Sequence, residues 1–410
     1  MKTLRVFPLL LLFPLLLAAQ SHKLLVISID GLDARFLKNA DRLRLKIPNL
    51  RRLMAGGAVS DGVVGVVPTV TWPSHTTLIT GVKPEQHGIV SNDQPGQPGQ
   101  RWWFTSFLKS RTLWEAAVAK KLKTATVYWP VTVGANVDFN CPEFWETRGE
   151  HEILFEPISR KCTPGLVDRI ASVFPAFTKS MWDDQTALEA VEYLLEFEQP
   201  DLTLVHIADL DAEQHETGAL SIYARDLLET DDERIGAVLR KLPAHTLVAI
   251  VSDHGFETAN FIVRARLMVK GEVQVREGLI GTKDPNAAAY FRKAVGNHKL
   301  GISREVPMQE VRRLAPALKS WTAAFETMQG YVPSEDMHGP AVGPGSHKGV
   351  HGLWPTRLNY RSSFLLWGED VRAVRIPEIS MLDIAPTFAE ILKLKLPAAK
   401  QPSLWPKLRK

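Results

Sequence analysis

The strongest pattern in the chain is a set of three continuous apolar runs, at 23–29, 202–207 and 246–251. Apolar runs without alternation are typical of strands that are covered on both faces of a parallel sheet. Each run is followed by carboxylates, which are Asp30, then Asp209 and Asp211, then Asp253. Open α/β sheets bind ligands at the carboxyl ends of their strands. Since a buried carboxylate is costly unless a positive group meets it, the pattern predicts a ligand site at one sheet edge.

Helical periodicity fills the stretches between the predicted strands. We predict helices at 111–123, 183–198, 221–241 and 381–392, and further strands at 124–129 and 362–368. Strands that alternate with helices in this way indicate an α/β fold with a mostly parallel central sheet flanked by helices.

The pattern weakens between residues 256 and 341. This region contains a mixed stretch at 262–267 and two helix-like stretches at 286–295 and 308–327. We interpret 256–341 as a small cap inserted into the core domain. The core would then consist of residues 22–255 and 342–410, and the second part would end in a basic tail.

Residues 1–21 have the pattern of a signal peptide. Lys2 and Arg5 precede an apolar run that two prolines interrupt, and small residues follow it. We expect a secreted or periplasmic protein with no stable membrane span after cleavage, and the alternative is a retained membrane anchor. In an oxidising compartment Cys141 and Cys162 could form a disulfide, whereas two free buried thiols are the alternative.

Composition excludes few classes of function. Of the 410 residues 45% are hydrophobic and 23% are charged, which is ordinary for a globular protein. The formal net charge of +4 is weak for this length, and no Lys/Arg run alternates with aromatic residues. Nucleic acid is therefore not implied as a partner, while a small anionic substrate is compatible with the sequence.

The stretch 67–81 joins the end of an apolar strand to the start of a threonine-rich helix. Thr71 suits the N-cap position, and Pro73 suits the first helical turn because it has no N–H group. Helix N-termini attract anions. We therefore predict that an anionic substrate binds beside Thr71.

Other candidate residues are carboxylates and imidazoles near strand ends. Asp211 and His215 are four positions apart, so a helical turn would point both side chains the same way. Asp253 and His254 follow the third apolar run, and His351 lies in a glycine-rich stretch. This mixture of oxygen and nitrogen donors suits zinc, which keeps an open position in catalytic sites.

Several segments carry a resemblance to a known family, in order along the chain: Asp30-Gly31, 68–75, 80–92, Asp211 with His215, Asp253-His254-Gly255 and His351-Gly352. Together they resemble the nucleotide pyrophosphatase/phosphodiesterase family, within the alkaline phosphatase superfamily. The resemblance implies an alkaline-phosphatase-like fold with a large central sheet and two zinc ions. It also implies hydrolysis of phosphodiester or pyrophosphate bonds.

The resemblance assigns the zinc ligands in two sets, which are Asp211, His215 and His351 for one ion, and Asp30, Asp253, His254 and the Thr71 oxygen for the other. Thr71 would be the nucleophile and would form a phosphothreonine intermediate, activated by zinc rather than by a histidine base. Asn92 would help to hold a nonbridging phosphate oxygen.

Substrate contacts are predicted at two tryptophans. Trp72 stands where the family usually has phenylalanine, and Trp129 lies in a segment that resembles the substrate side of the family. Both could stack on a base or another flat group, and the alternative is that both belong to the core. Asp209 and His347 are nearby rivals of Asp211 and His351, but they do not match the spacing of the family pattern.

Nucleotide-like diesters and pyrophosphates are the leading substrates on this evidence. The alternatives are a phosphate monoesterase or a glycerophosphodiester hydrolase of the same superfamily, and a non-catalytic zinc-binding protein. The predicted cap, which would set specificity, contains no motif that separates these alternatives.

Overall fold

A computed structural model describes residues 22–148, 152–153, 155–178 and 183–410 of the chain. The signal peptide predicted at 1–21 lies outside the described residues. Among the described helices, none combines the length and apolar character needed to cross a membrane.

The centre of the molecule is a sheet of eight strands. In chain order they are β1 Lys23–Ile29, β2 Ala58–Ser60, β3 Thr124–Val127, β4 Phe139–Cys141, β5 Leu202–Ile207, β6 Thr246–Val251, β7 Phe364–Trp367 and β8 Val374–Ile376. Their spatial order is β8-β2-β7-β6-β1-β5-β3-β4. Strand β7 is antiparallel to β6 and β2, and every other neighbouring pair is parallel. The prediction of an α/β fold with a mostly parallel sheet is therefore confirmed.

Helices flank this sheet, except for three between residues 265 and 314 that pack against smaller sheets. In chain order they are α1 Ala34–Lys38, α2 Pro48–Gly56, α3 Thr71–Thr80, α4 Pro84–His87, α5 Leu113–Ala119, α6 Phe155–Ser159, α7 Leu166–Val173, α8 Asp184–Tyr193, α9 Asp209–Thr217, α10 Ile222–Arg240, α11 Ala265–Met268, α12 Pro285–Ala294, α13 Met308–Leu314, α14 Ile384–Ile391 and α15 Trp405–Leu408. Helix α8 continues into a π-helical turn, Leu194–Glu198. The helix predicted at 183–198 is thus an α-helix over Asp184–Tyr193 that continues as a π-helix over Leu194–Glu198.

Residues from the two faces of each central strand belong to separate hydrophobic cores. In β1, Leu25 and Ile27 pack with residues of α2, α8 and α10, whereas Leu24 and Val26 pack with residues of α3, α5 and α14. This two-sided burial explains why the strand sequences are continuously apolar. The three predicted runs coincide with β1, β5 and β6, and their parallel pairing puts the three carboxyl ends side by side.

The region between residues 256 and 350 forms smaller sheets and its own hydrophobic clusters. A three-stranded sheet consists of Tyr331–Ser334, Phe261–Arg264 and Val342–Pro344, and a four-stranded sheet consists of Gln274–Arg276, Leu279–Thr282, Ala323–Thr327 and Ile302–Glu305. The predicted helix at 308–327 is wrong beyond Leu314, because Ala323–Thr327 is a buried strand. The division into core and cap remains our prediction.

A buried ion pair fastens this region to the chain that follows it. The Arg357 guanidinium donates to the carboxylate of Glu257 at 2.9 Å and to the carbonyl of Thr327 at 2.7 Å. Both charged side chains are almost fully buried. Removing one partner would leave a buried charge without compensation, so this pair fixes the position of the region strongly.

The remaining short strands lie in hairpins and loops and are Val63–Val64, Asp93–Gln94, Gln97–Arg101, Thr147–Arg148, Glu152–Ile153, Glu257–Thr258, Gly349–Val350 and Ile379–Ser380. Cys141, at the end of β4, and Cys162 are both buried free thiols. The hydrogen bond that the Cys141 thiol makes to Cys162, together with burial, raises the pKa of Cys141. The structure thus agrees with the second alternative for the two cysteines, free buried thiols.

Candidate metal centre and catalytic cavity

Six of the predicted zinc ligands form two clusters in the structure. The ligand atoms of Asp30, Asp253 and His254 lie within 4.8 Å of one another, and so do those of Asp211, His215 and His351. The two groups contain the residues that the family resemblance assigned to two ions, and their role as zinc ligands remains our prediction. The rivals Asp209 and His347 belong to neither cluster.

The first cluster lies at the ends of β1 and β6 and is almost completely buried. His254 Nε2 is 3.1 Å from an oxygen of Asp253 and 3.3 Å from Oδ1 of Asp30. The backbone N–H of Gly31 donates to the other Asp253 oxygen at 3.1 Å. Adjacent parallel strands therefore hold both carboxylates at a fixed separation.

The second cluster is half-buried and is assembled from helix α9 and a distant loop. Asp211 and His215 lie one turn apart on α9, and His215 Nε2 is 3.4 Å from an Asp211 oxygen. His351 Nε2 is 3.8 Å from the other Asp211 oxygen. The Nδ1–H groups of the two histidines donate to the carbonyls of Gly349 and Thr69, at 3.0 and 3.3 Å. These bonds turn both Nε2 atoms toward the cluster, as is usual for metal-binding histidines.

The two clusters adjoin each other. The rings of His254 and His351 stack with centroids 3.8 Å apart and an interplanar angle of 12°. His254 Nε2, from the first cluster, is also 3.8 Å from Oδ1 of Asp211 in the second. Two metal ions held in these clusters would therefore be close neighbours.

The donor atoms fit divalent cations. Asp30 Oδ1, Asp211 Oδ1, Asp253 Oδ2 and His254 Nε2 are buried and have no hydrogen-bond partner among the described residues. Buried polar atoms without partners are rare in proteins unless an ion or water meets them. Three carboxylates and three imidazoles also form the mixed oxygen and nitrogen set that zinc accepts.

The pKa shifts in the two clusters also favour the binding of a cation. Burial, reinforced by Asp253 and Asp211, raises the pKa of Asp30, and burial with Asp253 raises the pKa of Asp211 to about 8. Burial lowers the pKa of His254, and burial with the neighbouring histidine charges lowers that of His351. Neutral histidines are the form that binds metal, and a cation would relieve the repulsion between the carboxylates.

Thr71 is the first residue of α3, whereas the sequence pattern placed it at the N-cap. The helix therefore begins one residue earlier than predicted. The N-cap is Val70, which has an extended backbone and makes no side-chain capping bond, so the predicted capping role of Thr71 is wrong. Pro73 does lie in the first turn, and all residues of α3 are buried. The Thr71 side chain lines the same cavity as Asp30 and the second cluster.

Asn92 is held by the residue that follows Thr71. The backbone N–H of Trp72 donates to Oδ1 of Asn92 at 3.1 Å. This bond fixes the orientation of the Asn92 amide, so that its nitrogen is the group that can donate to an oxyanion. The same bond occupies the backbone amide of Trp72, which is directed to Asn92.

The cavity in front of Thr71 has a volume of about 470 Å³. The residues that line it are Asp30, Thr71, Trp72, Asn92, Arg101, Tyr128, Glu143, Trp145, Asp183, Asp184, His206, Ala208, Asp209, Asp211, Ala212, His215 and His351. Trp72 is among them, and its ring meets Trp145 edge to face with centroids 6.0 Å apart. The Arg101 guanidinium lies 5.0 Å from the Trp72 ring centroid.

Trp129 is in the core rather than in the cavity. Its side chain is 0% exposed and packs edge to face on His75. The neighbouring Tyr128 lines the cavity instead. Strand β3 ends at Val127 and Tyr128 has a left-handed backbone with φ of 50°, so the alternation of the strand does not continue through these residues. The structure does not support the prediction that Trp129 contacts substrate.

Sequence reasoning also missed Arg101, Glu143, Trp145 and His206. The sequence does offer a signal for His206, because it is the one titratable residue of strand β5, whose other residues are apolar or threonine. Arg101 ends a short hairpin strand, Gln97–Arg101, with no periodic pattern. Glu143 and Trp145 lie in the loop after β4, and only the fold brings that loop to the cavity.

Comparisons with known proteins were made by sequence and by structure. Ectonucleotide pyrophosphatase/phosphodiesterase family member 3 of Bos taurus is 25% identical over 251 residues, which are 57% of this chain and 25% of that protein. A venom phosphodiesterase of Macrovipera lebetinus is 24% identical over 258 residues, which are 58% of this chain and 26% of that protein. The matched part therefore spans about a quarter of the length of these relatives.

Among solved structures, murine ectonucleotide pyrophosphatase / phosphodiesterase 5 has a TM-score of 0.61 at 18% identity, and the match covers 95% of this chain and 100% of that chain. An inactive form of that murine protein in complex with AMP has the same TM-score of 0.61 at 16% identity, with coverage of 95% and 100%. This likeness confirms the alkaline-phosphatase-like α/β fold. The sequence model of the type I phosphodiesterase / nucleotide pyrophosphatase family matches residues 24–344. The chain belongs to this family.

Proposed function

We propose that the protein is a zinc-dependent phosphodiesterase and nucleotide pyrophosphatase that acts through a phosphothreonine intermediate. One observation carries the proposal: the second ligand cluster and Asp30 of the adjoining first cluster line a cavity that also contains the Thr71 side chain. A cavity with a nucleophile, a side-chain amide and two sets of metal ligands is a site for in-line displacement at phosphorus.

The proposed metal ions are two zinc ions. When bound, they would supply Lewis-acid stabilisation of the attacking and departing oxygens. Asp30, Asp253 and His254 would hold one ion together with Thr71, and Asp211, His215 and His351 would hold the other.

In the first step the Thr71 hydroxyl releases its proton to solvent and its oxygen forms a bond to phosphorus, while the bond to the leaving oxygen breaks and that oxygen departs with the bonding electron pair. In the second step water attacks the phosphothreonine from the opposite side and releases Thr71. The Asn92 amide, oriented by the Trp72 N–H, donates to a nonbridging oxygen as charge develops.

His75, one turn after Thr71 on α3, is not placed to act as its base. Its Nδ1–H donates to the Thr71 carbonyl at 2.9 Å, and its Nε2 is 2.8 Å from the Ser28 hydroxyl. Burial together with His206 lowers the His75 pKa to about 3, so the ring is neutral at physiological pH. Both nitrogens are thus occupied by structural hydrogen bonds, which supports activation of Thr71 without a histidine.

Nucleotide-like diesters and pyrophosphates are the proposed substrates. Trp72, Tyr128 and Trp145 give the cavity an aromatic side on which a base or another flat group can stack. The murine relative that was solved in complex with AMP supports a nucleotide. We also propose export to the periplasm or the exterior, on the pattern of residues 1–21.

Three substrates separate the candidate functions. We expect an aryl nucleotide diester to be hydrolysed with a higher kcat/KM than an aryl phosphate or glycerophosphocholine. A preference for the aryl phosphate would instead identify a monoesterase, and a preference for glycerophosphocholine would identify a glycerophosphodiester hydrolase.

Metal analysis tests the cofactor separately. We expect about two zinc ions per chain, loss of activity with a chelator and recovery when zinc is restored. Full activity in protein that contains no metal would refute the zinc assignment. Zinc binding without turnover of any of the three substrates would favour the non-catalytic alternative.

A further inference from the structure

A buried histidine links a proposed zinc ligand to the wall of the cavity. His206, on β5, is 3% exposed, and its Nε2 is 3.0 Å from Oδ2 of Asp30. Its other ring nitrogen, Nδ1, is 3.5 Å from Oε2 of Glu143. Glu143 is 4% exposed, so three ionisable side chains meet where almost no solvent reaches.

The two carboxylate oxygens of Asp30 have different neighbours. Oδ2 faces His206, whereas Oδ1 has no hydrogen-bond partner and lies 3.3 Å from His254 Nε2. A carboxylate without the His206 contact could turn about its side-chain torsions and offer either oxygen to the cluster. The histidine therefore selects which Asp30 oxygen points at the proposed metal.

Glu143 makes the second side-chain contact of His206. It lies in the loop after β4, and two residues later the same loop supplies Trp145 to the cavity. Glu143 thus brings that loop within ion-pair distance of His206 on β5, and His206 in turn contacts Asp30 at the end of β1.

Folding alone does not account for this set. The other residues of β5 are Leu202, Thr203, Leu204, Val205 and Ile207, so an apolar residue at position 206 would continue the strand pattern. Burying three ionisable groups is costly, and replacing such a set with apolar side chains often leaves stability unchanged or improves it. Partners that orient metal ligands, in contrast, commonly change metal affinity by about 10 to 100-fold.

We propose that His206 and Glu143 are positioning residues for Asp30, and that Glu143 acts through His206. This inference rests on the proposed function, because it assumes that Asp30 binds zinc. It predicts that the loop carrying Trp145 and the buried zinc site are coupled through Glu143 and His206.

The test measures the zinc dissociation constant by competition with a chromogenic chelator, in wild type and variants. We expect His206→Leu to weaken one of the two zinc sites by about 10 to 100-fold, as expected for loss of a ligand-orienting partner. His206→Gln keeps a side-chain N–H donor and should restore part of that affinity. Glu143→Gln, which removes the negative charge but keeps the shape, should have a smaller effect.

His87→Leu is the matched control. His87 is also a buried histidine, but its Nε2 bonds to the Thr77 hydroxyl at 3.1 Å, and its Nδ1 accepts from Ile89. We expect the thermal midpoint of His87→Leu to fall while both zinc affinities stay at the wild-type value. Equal zinc affinities in His206→Leu and wild type would overturn the inference.

A double variant tests the order of action. If Glu143 acts through His206, adding Glu143→Gln to His206→Leu should not weaken zinc binding further, whereas independent effects would multiply. Multiplied effects would refute the proposed coupling. Failure of the proposed function is a separate result, because it would be seen in the wild-type protein as absence of zinc or of turnover.

Discussion

The two ligand clusters differ in how much solvent reaches them. The side chains of Asp253 and His254 are 0% exposed and that of Asp30 is 4% exposed. In the second cluster the exposed fractions are 17% for Asp211, 40% for His215 and 13% for His351. The first cluster is therefore part of the protein interior, whereas the second lines the cavity in front of Thr71.

The difference has a structural origin. Asp30 and Asp253 follow neighbouring strands of the central sheet, so the first cluster is as rigid as the sheet itself. The second cluster joins one turn of α9 to a loop from the C-terminal part of the chain, and backbone carbonyls orient its histidines. We expect the first cluster to retain its metal and the second to exchange metal and contact the leaving group.

The largest effect should follow from a change at the nucleophile, where the cavity meets both clusters. Thr71→Ala removes the attacking oxygen, and kcat should fall by at least about three orders of magnitude, in line with other nucleophile deletions. Thr71→Ser keeps a hydroxyl and should retain partial activity. Metal analysis of both variants is the control, because zinc must still be bound for the comparison to be valid.

Near wild-type hydrolysis of a diester by Thr71→Ala with both zinc ions bound would rule out the covalent mechanism. Water would then be the nucleophile, and the two clusters would have to be interpreted without a phosphothreonine.

A smaller loss is expected at the oxyanion donor. Asn92→Ala removes one hydrogen-bond donor and should lower kcat by about 10² to 10³-fold, as for other oxyanion-hole donors. Asn92→Asp keeps the shape but replaces the donor with a negative charge, so it should be at least as damaging. An unchanged kcat in Asn92→Ala would show that the nonbridging charge is met by other groups.

A chelator should remove zinc from the two clusters at different rates. When excess chelator is added to the zinc-loaded protein, we expect zinc to leave in two phases, with the half-exposed cluster emptying first. His215→Ala should remove the fast phase and His254→Ala the slow one. A single phase in the wild type, or the reverse assignment, would contradict the comparison drawn from burial.

The smallest effect is expected at the aromatic side of the cavity. Trp145→Ala should raise KM for a nucleotide diester by about tenfold, since base stacking contributes ~1–3 kcal/mol. Trp129→Phe should lower the thermal midpoint but leave KM unchanged, because Trp129 is in the core. A raised KM in Trp129→Phe would restore the role that the sequence predicted for this residue.

The residues to which we assign the chemistry could be predicted from the sequence. The strands Lys23–Ile29, Leu202–Ile207 and Thr246–Val251 were predicted with their observed bounds, because two-sided burial leaves an uninterrupted apolar run. Both ligand clusters followed from those strand ends, from the spacing of Asp211 and His215, and from the family pattern. Such signals are local, and a local signal can be read from sequence.

Long-range packing, in contrast, sets which residues line the cavity and contact the candidate ligands. Tyr128 replaced Trp129 in the cavity because one left-handed residue breaks the strand alternation. Ala323–Thr327 became a strand because buried pairing between Leu279–Thr282 and Ile302–Glu305 outweighed its helix-like sequence. Arg101 comes from a hairpin, and Glu143 and Trp145 come from a loop, and neither segment has a periodic pattern. Their approach to the cavity of Thr71 therefore depends on long-range packing that no local stretch of sequence encodes.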